Sequence, residues 1–272
     1  MNNIKVKWGA WISATRPKTL VASFIPVMIG ASLAFSVHHE INHFLLFLCF
    51  SFSLLVQIGT NLANDYFDFI RGSDRNRVLA PTRAVASGLL RPNHVRNAAY
   101  LFLGISFAVG IVIYNISNGP HSLFWIGLAC ISCAVVYTGG PFPLAYNGLG
   151  DLFVILFYGF IAVEATHFVL LVEQKALYTP DFIAALSIGC MTNILLVVNN
   201  YRDYEEDKKN KKNTLIVIFG RKFGIFLFIS CNLIALLICP FLEPRLWLLY
   251  ICLPLSLFGA IKIQKAKTKK RV

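Results

Sequence analysis

Long apolar runs alternate with short polar connections along nearly the whole chain. Eight of them, at 19–37, 44–61, 98–116, 122–137, 149–171, 181–198, 223–239 and 246–261, approach or reach the roughly 20 residues with which a helix crosses the hydrocarbon of a bilayer. Backbone amides find no water there, so each run is expected to bond internally as a helix. The pattern predicts an all-α integral membrane protein, one domain over residues 1–272 built as a bundle of about eight transmembrane helices. Composition agrees, with 57% of residues hydrophobic and 14% charged, where soluble domains carry roughly a quarter charged.

Two runs close on acidic clusters. The second run ends in Asn61, Asn64, Asp65 and Asp68, which share one face when read as helix, and Gly72 and Asp74 follow. The sixth ends in Asn199, Tyr201, Arg202 and Asp203, with Asn199, Asp203 and Asp207 at helical steps of four. Carboxylates at the mouth of a membrane helix are costly without a partner cation, so both clusters are candidates for function. Two such clusters together point to a divalent metal.

The charge distribution assigns sides. With the N-terminus, 62–97, 138–148, 199–222 and the C-terminus on one side, that side holds all of the 25 Lys and Arg except Lys175 and Arg245. This asymmetry places both termini and both acidic clusters in the cytoplasm of an inner-membrane protein. It also explains the net charge of +12 by topology, and no nucleic-acid partner is expected. Residues 1–18, with Trp8 and Trp11 among basic residues, are expected to lie in the interface, and 262–272 to form a basic cytoplasmic tail on anionic lipid.

The connections carry the other candidates. Segment 69–97 holds six arginines and no lysine, Arg71, Arg75, Arg77, Arg83, Arg91 and Arg96. Arginine's planar fork suits phosphate, and Arg83, just ahead of Ala86-Ser87-Gly88, is the expected ligand contact. Arg16, Arg202 and Lys211 are further candidates for anionic groups. The stretch from Tyr137 to Asp151 is rich in Gly and Pro and has no cation, so topology does not account for it; Tyr137 and Tyr146 offer aromatic faces to a cation. His38, His39 and His43 read as a solvated turn, Cys130 and Cys133 as packing, and Glu164 with His167 as a mutual pair in the far half of the fifth run.

Mg²⁺ is usually held by one or two carboxylates plus substrate phosphate oxygens. Asp65, Asp68 and Asp74 from one run and Asp203 and Asp207 from the other are the expected ligands, with Asn61, Asn64 and Asn199 adding neutral oxygens or orienting the acids. A diphosphate gripped there, with an apolar tail between helices, is a polyprenyl diphosphate. Metal neutralisation of the leaving diphosphate would assist breakage of the allylic C–O bond, and aromatic faces would stabilise the allylic cation.

These residues carry a resemblance. Ser13-Ala14-Thr15-Arg16-Pro17-Lys18-Thr19-Leu20, Asn61-Leu62-Ala63-Asn64-Asp65-Tyr66-Phe67-Asp68 with Gly72 and Asp74, Tyr137-Thr138-Gly139-Gly140-Pro141 with Gly148-Leu149-Gly150, Asn199-Asn200-Tyr201-Arg202-Asp203 with Asp207, and Thr214-Leu215 with Gly220 resemble the UbiA-type membrane prenyltransferases. Within them the 1,4-dihydroxy-2-naphthoate polyprenyltransferases are most alike, and the six-residue step from Asp68 to Asp74 favours that branch. The resemblance implies a helical bundle around a lipid-open central cavity under a cytoplasmic cap. It implies catalytic roles for Asp65, Asp68, Asp203 and Asp207, substrate contacts from Asn61, Asn64, Arg16, Arg83, Tyr137, Tyr146, Arg202 and Lys211, and Mg²⁺ on the aspartates including Asp74. The implied reaction joins the prenyl group to the ring carbon of 1,4-dihydroxy-2-naphthoate that loses its carboxyl group, giving demethylmenaquinone. The chain departs from the family in three places: eight spans against the usual nine, Asp151 where Glu is expected, and Glu164 and His167 where apolar or aromatic residues are expected. Another aromatic acceptor such as 4-hydroxybenzoate, homogentisate or a futalosine-route naphthoate is the alternative inside the family, and a cation-coupled transporter is the alternative outside it.

Overall fold

The computed structural model describes residues 2–74, 83–173 and 179–266. Arg75, Arg77, Lys175 and the tail beyond residue 266 lie outside them. Among the described residues the chain is helical, with one isolated bridge between Asn147 and Asn213. Helix α1 is Asn2–Thr15, α2 Pro17–His38, α3 His43–Ile70, α4 Pro92–Ser117 and α5 His121–Val136. Then come α6 Gly150–Val154, a π-helix Ile155–Ile161, α7 Ala162–Glu173, α8 Phe182–Arg202, α9 Tyr204–Lys209, α10 Leu215–Phe219, α11 Arg221–Leu237, the 3₁₀ turn Pro244–Cys252 and α12 Leu253–Ala266.

All eight predicted runs are helical, and seven of the resulting helices are long and apolar enough to cross a membrane. The remaining one, α5, has 16 residues. The span expected over 44–61, with its polar face read as helix through Asp68, is α3, which continues to Ile70. At about 1.5 Å per residue its 28 residues span roughly 42 Å, against about 30 Å of hydrocarbon. The excess turns carry Asn64, Asp65 and Asp68 to the end of the bundle. Large apolar side chains such as Trp125, Phe226 and Phe258 are exposed on the outside, as lipid contact requires.

Alpha3 is the axis of the fold: it packs along α4, and against α2, α5 and α1. One core joins Val27, Ala31 and Ala34 of α2, Leu45, Leu48 and Cys49 of α3, and Val169, Leu170 and Leu171 of α7. A second, near the acidic end, joins Ala10 and Ala14 of α1 to Leu62 and Ala63 of α3 and to Ala84, Val85 and Leu90. On the far side α8 packs on α11 and on the π-helix.

Bilayer lipid is as apolar as leucine, so helices associate by close packing of small residues. A methyl group added to Gly159 in the π-helix would lie 2.3 Å from the Ala185 carbonyl oxygen, and one added to Gly189 in α8 would lie 2.8 Å from that of Ile155. The two backbones are in contact here. Gly159→Val is expected to push them apart and destabilise the protein by about 1–3 kcal/mol, read as a fall in thermal midpoint in detergent; an unchanged midpoint would remove this contact from the packing account.

Candidate functional site

Helix α3 ends at a left-handed glycine. Gly72 has φ +76°, its N–H donates to the Phe69 carbonyl (2.9 Å) and the Ser73 N–H donates to the Asp68 carbonyl (2.9 Å). This paired C-terminal closure needs a residue tolerant of positive φ, and it folds the chain back so that Asp74 returns beside Asp68. Helix α8 stops at Arg202, and the chain turns at Asp203 into α9, with the Asp207 N–H still donating to the Asp203 carbonyl at 2.8 Å. The sequence expectation of one continuous helix through Asp207 is thus corrected to two helices meeting at Asp203.

The two acidic motifs meet. Asp68, Asp74, Asp203, Glu206 and Asp207 line one small polar cavity of about 10 Å³, together with Arg83 and Lys212. Asn210 Nδ2 donates to the Ser73 carbonyl at 2.8 Å and ties the two motifs together.

Arg83 binds this cluster. Its Nη2 lies 2.7 Å from Asp68 Oδ2, its Nε 3.3 Å from Asp74 Oδ1, and its Nη1 donates to the Asn64 carbonyl at 2.8 Å. Burial opposes its charge, yet the carboxylates of Asp68, Asp74 and Asp65 outweigh burial and raise its pKa above the usual arginine value. Tyr146 donates from its hydroxyl to Asp68 Oδ1 at 2.7 Å and also meets Ser73 Oγ at 2.7 Å. Burial and then the Asp68 charge push the Tyr146 phenol well above its ordinary pKa, so it stays neutral and remains a donor. Its ring lies between cations, Arg71 at 5.3 Å and Lys212 at 5.5 Å from the centroid. Arg71 also donates to the Thr138 carbonyl (3.2 Å) and to that of Gly140, which latches the Gly- and Pro-rich loop over the site. Thr138 Oγ1 donates to Asn64 Oδ1 at 2.7 Å. Arg202 grips Asp203 through both oxygens, Nε to Oδ1 at 2.6 Å and Nη2 to Oδ2 at 2.8 Å.

Asp65 stands apart. Buried at 2% exposure, it does not line the acid cavity, and neither carboxylate oxygen makes a hydrogen bond of proper geometry. Lys211 was expected at the substrate, but it lies exposed with φ +55° and lines neither cavity; the neighbouring Lys212 points inward, 3.7 Å from Asp207 Oδ1. Among the described residues no three metal-ligating side chains are close enough to share one ion. Arginine guanidiniums occupy the places between carboxylates where cations belong. The donor set fits a hard divalent ion nonetheless: it is all oxygen, and no side-chain donor is bonded to either buried oxygen of Asp65.

A second cavity, of about 320 Å³, runs from this end into the bundle. Its walls are mainly apolar, from α2 to α8, while Arg16, Asn61, Asn64, Tyr137 and Asn199 stand at its polar end. Asn64 lies one turn before Asp68 and Asn199 one turn before Asp203, so both helices pass from one cavity to the other. Arg16 joins α1 to α2 with φ +51° and ψ +68°, a conformation costly for a residue with a side chain and often found at binding sites. Cys49, Cys130 and Cys133 also line the cavity. Glu164 and His167 lie on α7, with His167 Nδ1 3.9 Å from Glu164 Oε2, and Glu164 Oε1 accepts from the Asp181 N–H at 3.0 Å.

Sequence reasoning missed Ser73, Thr138 and Lys212, and it missed Gln57 and Tyr158. Gln57 could have been found, one helical turn before Asn61 on the same face; Thr138 and Tyr158 gave no local signal, because their partners are far away in the chain.

The profile of the UbiA prenyltransferase family matches residues 23–272. The 1,4-dihydroxy-2-naphthoate octaprenyltransferase of Bacillus subtilis is 32% identical over 248 residues, 88% of this chain and 77% of the relative. The enzyme of the same name from Mycobacterium leprae is 36% identical over 213 residues, 78% of this chain and 70% of the relative. Among solved structures, a UbiA homolog from Archaeoglobus fulgidus bound to DMAPP and Mg²⁺ superposes with a TM-score of 0.65 at 14% identity, covering 94% of this chain and 87% of the other.

Removing Arg83 would strand buried carboxylates. Arg83→Ala is expected to destabilise by about 3–5 kcal/mol, and Arg83→Lys by less, measured by thermal unfolding in detergent; equal stability of Arg83→Ala and wild type would mean that the ion pairs contribute nothing net.

Proposed function

Because the chain belongs to the UbiA prenyltransferase family and is therefore a membrane prenyltransferase, we propose that it transfers a polyprenyl group from polyprenyl diphosphate to 1,4-dihydroxy-2-naphthoate, with loss of CO₂, to give demethylmenaquinone in menaquinone biosynthesis. The observation that carries this reading is the succession of the two cavities along α3 and α8, a carboxylate- and arginine-lined head site at Asp68 and Asp203 and, one turn earlier on the same helices at Asn64 and Asn199, the polar end of an apolar channel. An amphiphile with a diphosphate head and a hydrocarbon tail matches that gradient.

Asp65, Asp68, Asp74, Asp203 and Asp207 are the residues that would hold Mg²⁺. When bound, the metal neutralises the departing diphosphate and so lowers the barrier to breaking the allylic C–O bond. On this reading Arg83, Arg202 and Lys212 exchange their carboxylate partners for phosphate oxygens, which reduces the cost of bringing an anion among aspartates. Tyr146 holds Asp68 in place, and Tyr137 offers its ring face to the positive charge left on the prenyl carbon. Arg16 at the channel mouth pairs with the carboxylate of the acceptor. The acceptor ring carbon bearing that carboxylate bonds to the prenyl carbon; the C–C bond to the carboxylate breaks, its electron pair restores ring aromaticity, and CO₂ leaves. The diphosphate departs with the electron pair of the C–O bond. The loop from Tyr137 to Asp151, latched by Arg71, excludes water that would otherwise capture the cation.

The concentration of Lys and Arg at the acidic end supports a cytoplasmic site with both termini on the same side, where soluble acceptor and diphosphate are available. Helix α1, anchored through Ala10 and Ala14 with Trp8 exposed, suits a position in the headgroup layer.

Purified protein given Mg²⁺, a long prenyl diphosphate and a panel of aromatic acids is expected to form the prenylated, decarboxylated naphthoate product by mass, and to lose all activity in EDTA. Asp65→Ala, Asp68→Ala and Asp203→Ala are each expected to cut kcat by at least about 10²-fold while the protein stays folded; wild-type turnover in any of them would count against the metal assignment.

A further inference from the structure

Partway along the wall of the apolar channel, Gln57 and Tyr158 face each other and join a chain of hydrogen bonds. Polar side chains in such a wall are costly, so their complete bonding pattern is informative.

The direction of every bond in this chain is fixed from one end. The Thr15 carbonyl accepts only, and it lies 2.8 Å from one terminal atom of the Asn61 amide. That atom must be Nδ2. The other, Oδ1, must then accept, and its neighbour at 3.3 Å is Gln57 Nε2. Gln57 therefore turns Oε1 to the Tyr158 hydroxyl, which donates to it. Thr19 fits the same order: its hydroxyl donates to the Arg16 carbonyl at 2.9 Å and lies 3.1 Å from Asn61 Nδ2, from which it accepts. Among the described residues this leaves one Gln57 amide hydrogen and the Tyr158 oxygen lone pairs without a partner. One donor and one acceptor therefore sit side by side on the channel wall.

That pair is complementary to a hydroxyl group, which gives one hydrogen and accepts one. It is not complementary to a carboxylate, whose charge would face the Tyr158 lone pairs, and Arg16 already supplies a cation at the mouth. Gln57 precedes Asn61, whose amide bonds the Thr15 carbonyl beside Arg16, by one helical turn, about 6 Å at 1.5 Å per residue. A two-ring acid whose carboxylate lies at the Arg16 and Asn61 level would bring the hydroxyl meta to it, on the same ring, towards the level of Gln57.

We propose that Gln57 and Tyr158 are positioning residues that bind the acceptor hydroxyl remote from the carboxylate, and so set both which hydroxylated aromatic acid is accepted and how its ring faces the prenyl carbon. This rests on the acceptor class proposed above. The pair touches no reacting atom. It selects by leaving a polar pair unsatisfied when the hydroxyl is missing, which discriminates more strongly than an apolar pocket does.

The test compares 1,4-dihydroxy-2-naphthoate with 1-hydroxy-2-naphthoate, which lacks only the remote hydroxyl, using full-length enzyme, Mg²⁺ and farnesyl diphosphate. The wild type is expected to show a KM about tenfold lower for the dihydroxy acid. Gln57→Leu and Tyr158→Phe are expected to raise that KM about tenfold, to the value for the monohydroxy acid, while KM for the monohydroxy acid and for farnesyl diphosphate stays within twofold. Equal losses on both acids, a fall in kcat alone, or no change in folded variants would overturn the assignment and leave the pair as a stitch between α3 and the π-helix. Should the variants fail to fold, binding of the two acids and of the 4-methoxy analogue to wild type decides, by quenching of intrinsic fluorescence: tenfold weaker binding of both analogues supports the pair, and equal binding overturns it. If the wild type turns over a different hydroxylated aromatic acid and neither naphthoate, the named acceptor falls, and the same comparison on that acid and its dehydroxylated analogue decides the pair. Absence of binding by any hydroxylated aromatic acid overturns both.

Discussion

A carboxylate inside a bilayer must meet a cation or leave the hydrocarbon, and this constraint organises the molecule. Helix α3 exceeds the hydrocarbon thickness, so its acids emerge at the end of the bundle; α8 is shorter and ends one residue before its own. Helices of unequal length thus deliver their charged ends to one level. There Arg83 and Arg202 meet the carboxylates directly, and Tyr146 satisfies what remains of Asp68.

Pairing buried acids with arginine stabilises an arrangement that would otherwise repel itself, and on the proposed reading it also prepares the site for its ligand. A guanidinium that neutralises Asp68 and Asp74 can turn its fork to a phosphate with little movement, and the oxygens it releases have the hardness magnesium prefers. Asp65 is already without a side-chain hydrogen-bond partner. The cavity at the cluster is small, about 10 Å³, so on the proposed reading a diphosphate would enter only with this exchange. Along the channel the same reasoning applies in milder form: the chain from Thr15 through Asn61 and Gln57 to Tyr158 satisfies most of its polar atoms internally and leaves a matched pair for a ligand.

The bundle is held without a water-driven core between its helices. Backbones touch where glycine allows, as at Gly159 and Gly189, and the two clusters of buried Ala, Val and Leu around α3 give it a rigid axis. A rigid α3 matters for function, because a helix that carries Gln57, Asn61, Asn64 and Asp68 on one face keeps head site, mouth and channel wall in fixed register.

Much of this was legible in the chain. Apolar runs are long because a bilayer is thick, so the helices could be located by length alone. The acids at 61–68 and 199–207 stood out because such residues at a membrane helix end demand a reason, and the Lys and Arg bias grouped them on one side. The motifs also carried the family resemblance. Local pattern read the helix through Asp68 but could not say how it closes, at the left-handed Gly72 that brings Asp74 back beside Asp68. Nor could it choose Lys212 over Lys211, because one left-handed residue at 211 turns the second inward. The partners of Tyr146, Thr138 and Tyr158 lie far away in the chain, and only the closed bundle, whose interior offers polar groups nothing but one another, decided which of them meet.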